Sequence, residues 1–193
     1  MISGNQHRTS LFFIRRVIFL LIITIAFISC DNSEAKLDEI RRIFASIGLD
    51  NPSGQVFTDA EILNSSESRE FIISDPDSFT FVFFGASWCP SCQKELPTIE
   101  ALQRSLSENV AVKFVFISEN PGTVARFMES NNYTVPYMLD RRALAASSNA
   151  VEKYPTAYLV SPKGKTIFRV EGLFDWSDPI LLSAIEDSLE IWY

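Results

Sequence analysis

Two short runs of the chain are apolar almost throughout, and a helix-patterned segment joins them. Residues 79–84 read FTFVFF, and residues 110–117 read VAVKFVFI. Strict alternation of polar and apolar residues marks a strand with one wet face. Its absence here marks strands covered on both faces, as in a parallel or central position. Over 93–106, Leu96, Ile99, Leu102 and Leu106 recur at helical spacing. Strand, helix and strand within about 40 residues form a βαβ unit, whose crossover is expected to be right-handed. A chain organised round such a unit is an α/β domain, and 193 residues suit one domain with appendages.

The flanking segments extend that frame. Leu37, Ile40, Ile43, Phe44 and Ile47 predict an amphipathic helix over 36–47, with Gly48 placed to end it. Residues 31–35 read as a polar tether, and Asn51-Pro52-Ser53-Gly54 as a turn. Short strands are expected at 55–58 and 70–74, with a polar loop over 64–68 between them. Helices are expected over 123–131 and 141–148. A hairpin follows from 154–160 and 166–171, turning through Ser161-Pro162-Lys163-Gly164. Asp178 as N-cap and Pro179 at the first helical position open a last helix, whose apolar face is Leu181, Ile185, Leu189 and Trp192.

Cys89 and Cys92 stand between the first buried strand and its helix, within FFGASWCPSCQKELP. Three uses compete. A structural zinc site needs four Cys or His ligands, but beside this pair the chain holds only Cys30, expected to carry a lipid, and His7, expected to be cleaved off; an iron–sulfur cluster fails on the same count. A permanent staple over two intervening residues closes so small a loop that it restricts the unfolded chain little. Redox exchange fits the placement better. At a helix start, unpaired N–H groups and the helix dipole favour a thiolate, so Cys89 is the attacking thiol and Cys92, one turn on, the resolving one.

The motif around this pair, Phe84-Gly85-Ala86 then Trp88-Cys89-Pro90-Ser91-Cys92 then Glu95-Leu96-Pro97, resembles the thioredoxin superfamily. It is most similar to the TlpA/ResA-like membrane-tethered thiol-disulfide oxidoreductases, over about 79–172. Lys153-Tyr154-Pro155-Thr156 resembles that family's cis-proline strand, Gly164 and Gly172 its hairpin and strand-closing glycines, and residues 135–140 the extra segment of this branch. The resemblance implies a thioredoxin-like fold, a central mixed sheet flanked by helices, with an N-terminal helix and strand extension. It implies a cis Tyr154–Pro155 bond, with Trp88, Tyr154, Pro155 and Thr156 lining the client-binding surface. It also implies exported clients with cysteine thiols or disulfides, apocytochrome c among them, and a DsbD/CcdA-type membrane electron donor. No cofactor or metal is implied. Ordinary thioredoxins carry a buried Asp six residues before the first cysteine, where this chain has Phe83. Glu119, just after the second buried strand, matches a glutamate of the ResA-like proteins and is the expected proton acceptor for Cys92.

Composition bears on place and partners. Arg8, Arg15 and Arg16 precede an uncharged run over 17–28, and Ser29-Cys30 follows. Twelve residues are too few to cross a bilayer, which takes roughly 20, and fit a signal-peptide core. The segment resembles a bacterial lipoprotein signal, with Cys30 lipidated. The expected organisation is a signal over 1–29, a tether and helix over 30–54, and a thioredoxin-like domain over 55–193. Cleavage before Cys30 would leave 164 residues with net charge −10 and no histidine, since His7 is lost. Histidine-based nucleophilic mechanisms are then excluded. The acidic balance excludes nucleic acid as a partner. Beside a reductase, an oxidase or isomerase on the same scaffold and a binding lipoprotein with a structural disulfide remain open. A peroxidase is disfavoured, because Pro-x-x-x-Thr/Ser-x-x-Cys is absent at both cysteines.

Overall fold

A computed structural model describes residues 33–51, 56–107 and 109–193. The expected signal over 1–29 and Cys30 lie outside the described residues. Helix α1 covers 33–46. Then come β1 (Glu61–Asn64), β2 (Arg69–Phe71), β3 (Phe79–Gly85), α2 (Pro90–Ser105), β4 (Val110–Ile117) and α3 (Pro121–Ser130). The chain continues through β5 (Tyr137–Asp140), α4 (Leu144–Ser148), β6 (Thr156–Val160), β7 (Thr166–Glu171) and α5 (Pro179–Trp192). The strands form one mixed sheet in the order β2-β1-β5-β4-β3-β6-β7. β3, β4 and β5 are parallel, and the other pairings are antiparallel.

β3 is central, and all seven of its residues are buried. Successive strand side chains point to opposite faces. Phe79, Phe81 and Phe83 therefore enter the core under α1, α2 and α5, with Leu37, Ile40, Phe44, Leu96, Ile99, Trp176, Leu181 and Ile185. Val82 and Phe84 enter the opposite core, with Val115, Met138, Tyr158 and the alanines of α4. The unbroken apolar runs are the sequence signature of this two-sided cover. α1 belongs to the same packed body, since the Phe44 ring lies 5.0 Å from that of Phe168.

The expected strand at 55–58 does not form among its described residues. Their backbone groups are taken by side chains instead: the Phe57 N–H donates to Thr166 Oγ1 at 2.7 Å and the Thr58 N–H to Asn149 Oδ1 at 2.7 Å. Asn149 Nδ2 returns a bond to the Thr58 carbonyl. Residues 33–35, read as tether, are helical. The strand expected at 70–74 stops at Phe71, and β1 falls outside the expected strands. The helix expected from 141 begins at Leu144, because Ala143 is left-handed at φ 54° and the Asp140 carboxylate accepts from the Leu144 and Ala146 N–H groups. The last helix starts as read, with Asp178 Oδ1 accepting from the Ile180 N–H at 2.8 Å, a cap worth ~1 kcal/mol.

Candidate active site

β3 ends at Gly85, and α2 begins at Pro90. The four residues between carry the chain across the sheet end and seat Cys89 as the N-cap of α2. Pro90 occupies the first turn, where a missing N–H costs nothing. Cys89 and Cys92 form a disulfide, with their Cα atoms 5.2 Å apart. Cys92 is fully buried, and Cys89 is 5% exposed. The Cys92 N–H donates to Cys89 Sγ at 3.2 Å. A helix N-terminus thus aims a backbone donor at the sulfur that would bear negative charge. Gly85 makes room for the pair. A Cβ there would lie 2.9 Å from Cys92 Sγ and 2.7 Å from the Phe114 ring.

The second expected motif lies beside it. Tyr154–Pro155 is cis. Thr156 pairs with Phe84 across β6 and β3, so Pro155 stands level with the start of the cysteine loop. Gly172, at φ 91°, sends its N–H to the Pro155 carbonyl at 2.8 Å. Thr156 is buried, and its hydroxyl donates to the Lys153 carbonyl. Trp88 is 65% exposed, with its ring edge-on to Tyr154 at 6.2 Å. Cys89, Cys92, Trp88, Tyr154, Pro155 and Thr156 are therefore brought together at one end of the sheet.

Glu119 is brought there too, with a different neighbour. Ser118 is left-handed at φ 57° and turns the chain at the end of β4. Glu119 is buried, and its two carboxylate oxygens accept from the N–H and hydroxyl of Ser87. The Ser87 carbonyl accepts from Gln93 Nε2 at 2.5 Å. All three polar groups of the residue two before Cys89 are thereby used.

A second carboxylate stands in the cysteine motif itself, but the sequence alone gives it no role. Glu95 stands three residues after Cys92 on the buried face of α2, 1% exposed. Its Oε1 accepts from Trp176 Nε1 at 2.6 Å and from the Phe174 N–H at 3.2 Å, while its Oε2 is buried with no hydrogen-bond partner among the described residues. Burial raises its carboxyl from the ordinary 4.5 to about 7, against the lowering effect of the Trp176 and Phe174 bonds. Phe83 is buried and packs on the same indole, ring centres 4.9 Å apart. The aromatic residue at the usual Asp position thus packs on the indole that donates to Glu95. The available signal is an acid at i+3 from a buried cysteine, within the stripe Cys92, Leu96, Ile99 and Leu102. Among the described residues no three His, Cys, Asp or Glu side chains converge on one point, and no helix is long and apolar enough to cross a membrane.

The sequence model of the AhpC/TSA family matches residues 53–168. Thioredoxin-like protein YneN of Bacillus subtilis (strain 168) is 33% identical over 84 residues, covering 42% of this chain and 49% of that protein. Thiol-disulfide oxidoreductase ResA of the same organism is 27% identical over 113 residues, covering 58% of this chain and 63% of that protein. The chain thus spans between about half and under two thirds of these curated relatives. The crystal structure of StoA from Bacillus subtilis superposes with a TM-score of 0.58 at 22% identity, covering 67% of this chain and 98% of that one. A likeness at that identity carries the fold: the mixed sheet flanked by helices is thioredoxin-like.

Proposed function

The chain belongs to the AhpC/TSA family, and from that premise we propose that it is a thiol-disulfide oxidoreductase of the ResA type that reduces disulfides of exported client proteins through Cys89 and Cys92. The observation that carries this reading is a disulfide at a helix N-terminus, with a backbone N–H on Cys89 Sγ and the exposed Trp88 beside it.

Starting from the dithiol, the Cys89 thiolate attacks one sulfur of the client disulfide. That S–S bond breaks, and the other client sulfur leaves as a thiolate. The Cys92 thiol then loses its proton and attacks Cys89 Sγ, expelling the second client thiolate and closing the Cys89–Cys92 disulfide. The client gains two electrons and the pair gives up two. The exposed Trp88 and the half-buried Tyr154 form the surface against which the client strand lies, and Pro155 and Thr156, both buried, back it instead of lining it as expected from the sequence.

We assign the proton from Cys92 to Glu95, and the holding of the loop to Glu119. Glu95 has a free buried oxygen and a carboxyl near 7, the range in which a general base works best at neutral pH. The carboxylate of Glu119 is occupied by Ser87. This revises the role expected for Glu119 from the sequence.

In the same proposal, residues 1–29 act as a lipoprotein signal and Cys30 carries the lipid, which places the domain on the extracytoplasmic face. A DsbD/CcdA-type membrane protein returns electrons to the pair, and apocytochrome c is one candidate client. The family name raises peroxide reduction as a second reading, which the missing peroxidatic signature opposes. The test is the Cys92→Ser variant in cells: covalent adducts of clients on Cys89 are expected, and Cys89→Ser should form none. Adducts on neither variant would overturn the reading. A reduction potential as high as those of dedicated oxidases would overturn the reductase direction alone.

A further inference from the structure

A cleft of about 590 Å³ opens between β5, α4 and the β1–β2 hairpin. Its apolar lining includes Ile62, Leu63, Leu139 and Leu144, and its basic lining includes Arg69, Arg141 and Arg142. The register places it. Gly85 pairs with Phe116, Phe116 with Leu139, and Leu139 with Leu63, so these four form one row across the sheet. The chain leaving Gly85 leads to Cys89, and the chain leaving Leu139 leads to Arg141 and Arg142. The cleft therefore lies at the cysteine end of the sheet, two strands away from β3. Two strand spacings are ~10 Å.

The charges of the cleft are not balanced internally. Arg69 pairs with Glu61 at 3.4 Å. The Asp140 carboxylate is occupied by the Leu144 and Ala146 N–H groups. Arg141 and Arg142 are exposed and make no hydrogen bond or ion pair with another described residue. Two free guanidinium groups thus stand beside an apolar floor on a chain of net charge −7. Leu144, at the rim, is 54% exposed.

We infer that this cleft is a docking site for an extended client segment that carries a carboxylate and an adjacent aliphatic residue at a fixed distance from the cysteine under attack. The inference rests on the disulfide-exchange reading above. Guanidinium forks bind carboxylates bidentately, and the exposed Leu144 at the rim packs on the aliphatic neighbour, over the buried Leu139 and Ile62. β5 stands ~10 Å from β3, so at ~3.3 Å per extended residue the spacing inferred between the cysteine and the carboxylate is about three residues. Specificity would then be read two strands away from the chemistry, and the cysteine pair need carry none of it.

The test uses three peptides with the same internal disulfide: one with Glu-Leu three residues from a cysteine, one with Gln-Leu there, and one with Glu-Leu directly adjacent. Reduction of neutral hydroxyethyl disulfide is measured in parallel. The wild type should favour the first peptide by about tenfold in kcat/KM over the other two. The preference should shrink as salt is raised. Arg141→Gln/Arg142→Gln should remove the preference while hydroxyethyl disulfide is reduced at the wild-type rate. Equal rates on the three peptides, or a preference that survives in the double variant, would overturn the docking site. Failure to reduce hydroxyethyl disulfide would instead overturn the activity. In that case, binding of a cysteine-free, fluorescent Glu-Leu peptide to the wild type and to the double variant still decides the docking site by anisotropy, with equal affinities overturning it.

Discussion

Glu95 and Glu119 reach the cysteine end of the sheet from different elements, and their surroundings differ in one respect. Glu119 comes from the loop after β4 and meets donors with both oxygens, the Ser87 N–H and hydroxyl. Glu95 comes from α2, gives one oxygen to Trp176 and Phe174, and leaves the other buried without a partner. A carboxylate whose two oxygens are both engaged is a fastener, because its bonds fix the position of what it holds. A half-satisfied carboxylate in an apolar wall keeps its proton to higher pH and can exchange it. The difference between holding and proton handling is thus set by which oxygens find donors, not by distance from the cysteines in sequence.

Glu95→Gln should break the proton-handling side with the largest effects. Resolution by Cys92 is expected to slow by ~10²-fold at neutral pH, the low end of general-base contributions, measured as decay of a preformed mixed disulfide. The same variant carries a stability signature whose sign follows from the raised carboxyl. The folded chain keeps this proton up to about 7, and the unfolded chain loses it near 4.5. Stability from this group is therefore fully present below pH 4.5 and lost as pH rises through about 7. Glu95→Gln should match the wild type at pH 4 and exceed it above pH 7, by up to ~3 kcal/mol. Denaturant midpoints at the two pH values check this, and equal differences at both would sink the burial argument.

Glu119→Gln should act on the fastening side, with a smaller effect of another kind. An amide keeps an acceptor for the Ser87 N–H and offers its NH2 to the Ser87 hydroxyl, so two charge-assisted bonds in a buried place become neutral ones. The cost is expected at ~1–3 kcal/mol in unfolding free energy, and Ser87→Ala should give part of the same loss. The midpoint of the pH–rate profile should stay where it is in the wild type. If Glu119→Gln moves that midpoint and Glu95→Gln does not, the two roles are reversed.

What is legible in the sequence follows the same division. Elements specified by periodicity along one segment can be read: β3, β4, α2 and the hairpin β6–β7 all appear where the apolar patterns put them. The Asp178–Pro179 start of α5 is also local chemistry, and it holds. What fails depends on partners distant in the chain. Residues 56–58 look like a strand, yet Thr166 and Asn149 take their backbone groups. β1 is four residues long and exists because β5 and β2 pair with it. The cysteine pair and its proline are readable as two motifs in order. The role of Glu95 is hidden because a charged residue on a helix is usually solvated, and only the indole from residue 176 explains its place in the core. Glu119 is found by position, but its partner Ser87 cannot be seen without the turn at Ser118.

The smallest expected effect sharpens the comparison at its least visible member. Trp176 is fully buried among Phe83, Phe81, Phe168 and Phe174, with ring centres 4.7 to 6.3 Å away. Its N–H makes the shorter of the two bonds to Glu95 Oε1. Trp176→Phe keeps an aromatic ring in that nest and removes the donor. The ionised form of Glu95 loses a stabilising bond, so its carboxyl should rise further above about 7. At pH 7 a smaller fraction would be ionised. Losing one neutral donor is worth ~1 kcal/mol, so resolution by Cys92 should slow by less than about tenfold, the factor that ~1.4 kcal/mol would give. The rate should recover as pH rises and meet the wild-type curve at high pH. A variant damaged only in its packing would lose rate equally at every pH. Resolution rates of the mixed disulfide from pH 6 to pH 9 separate the two, and parallel curves would show that Trp176 fills space without orienting the base.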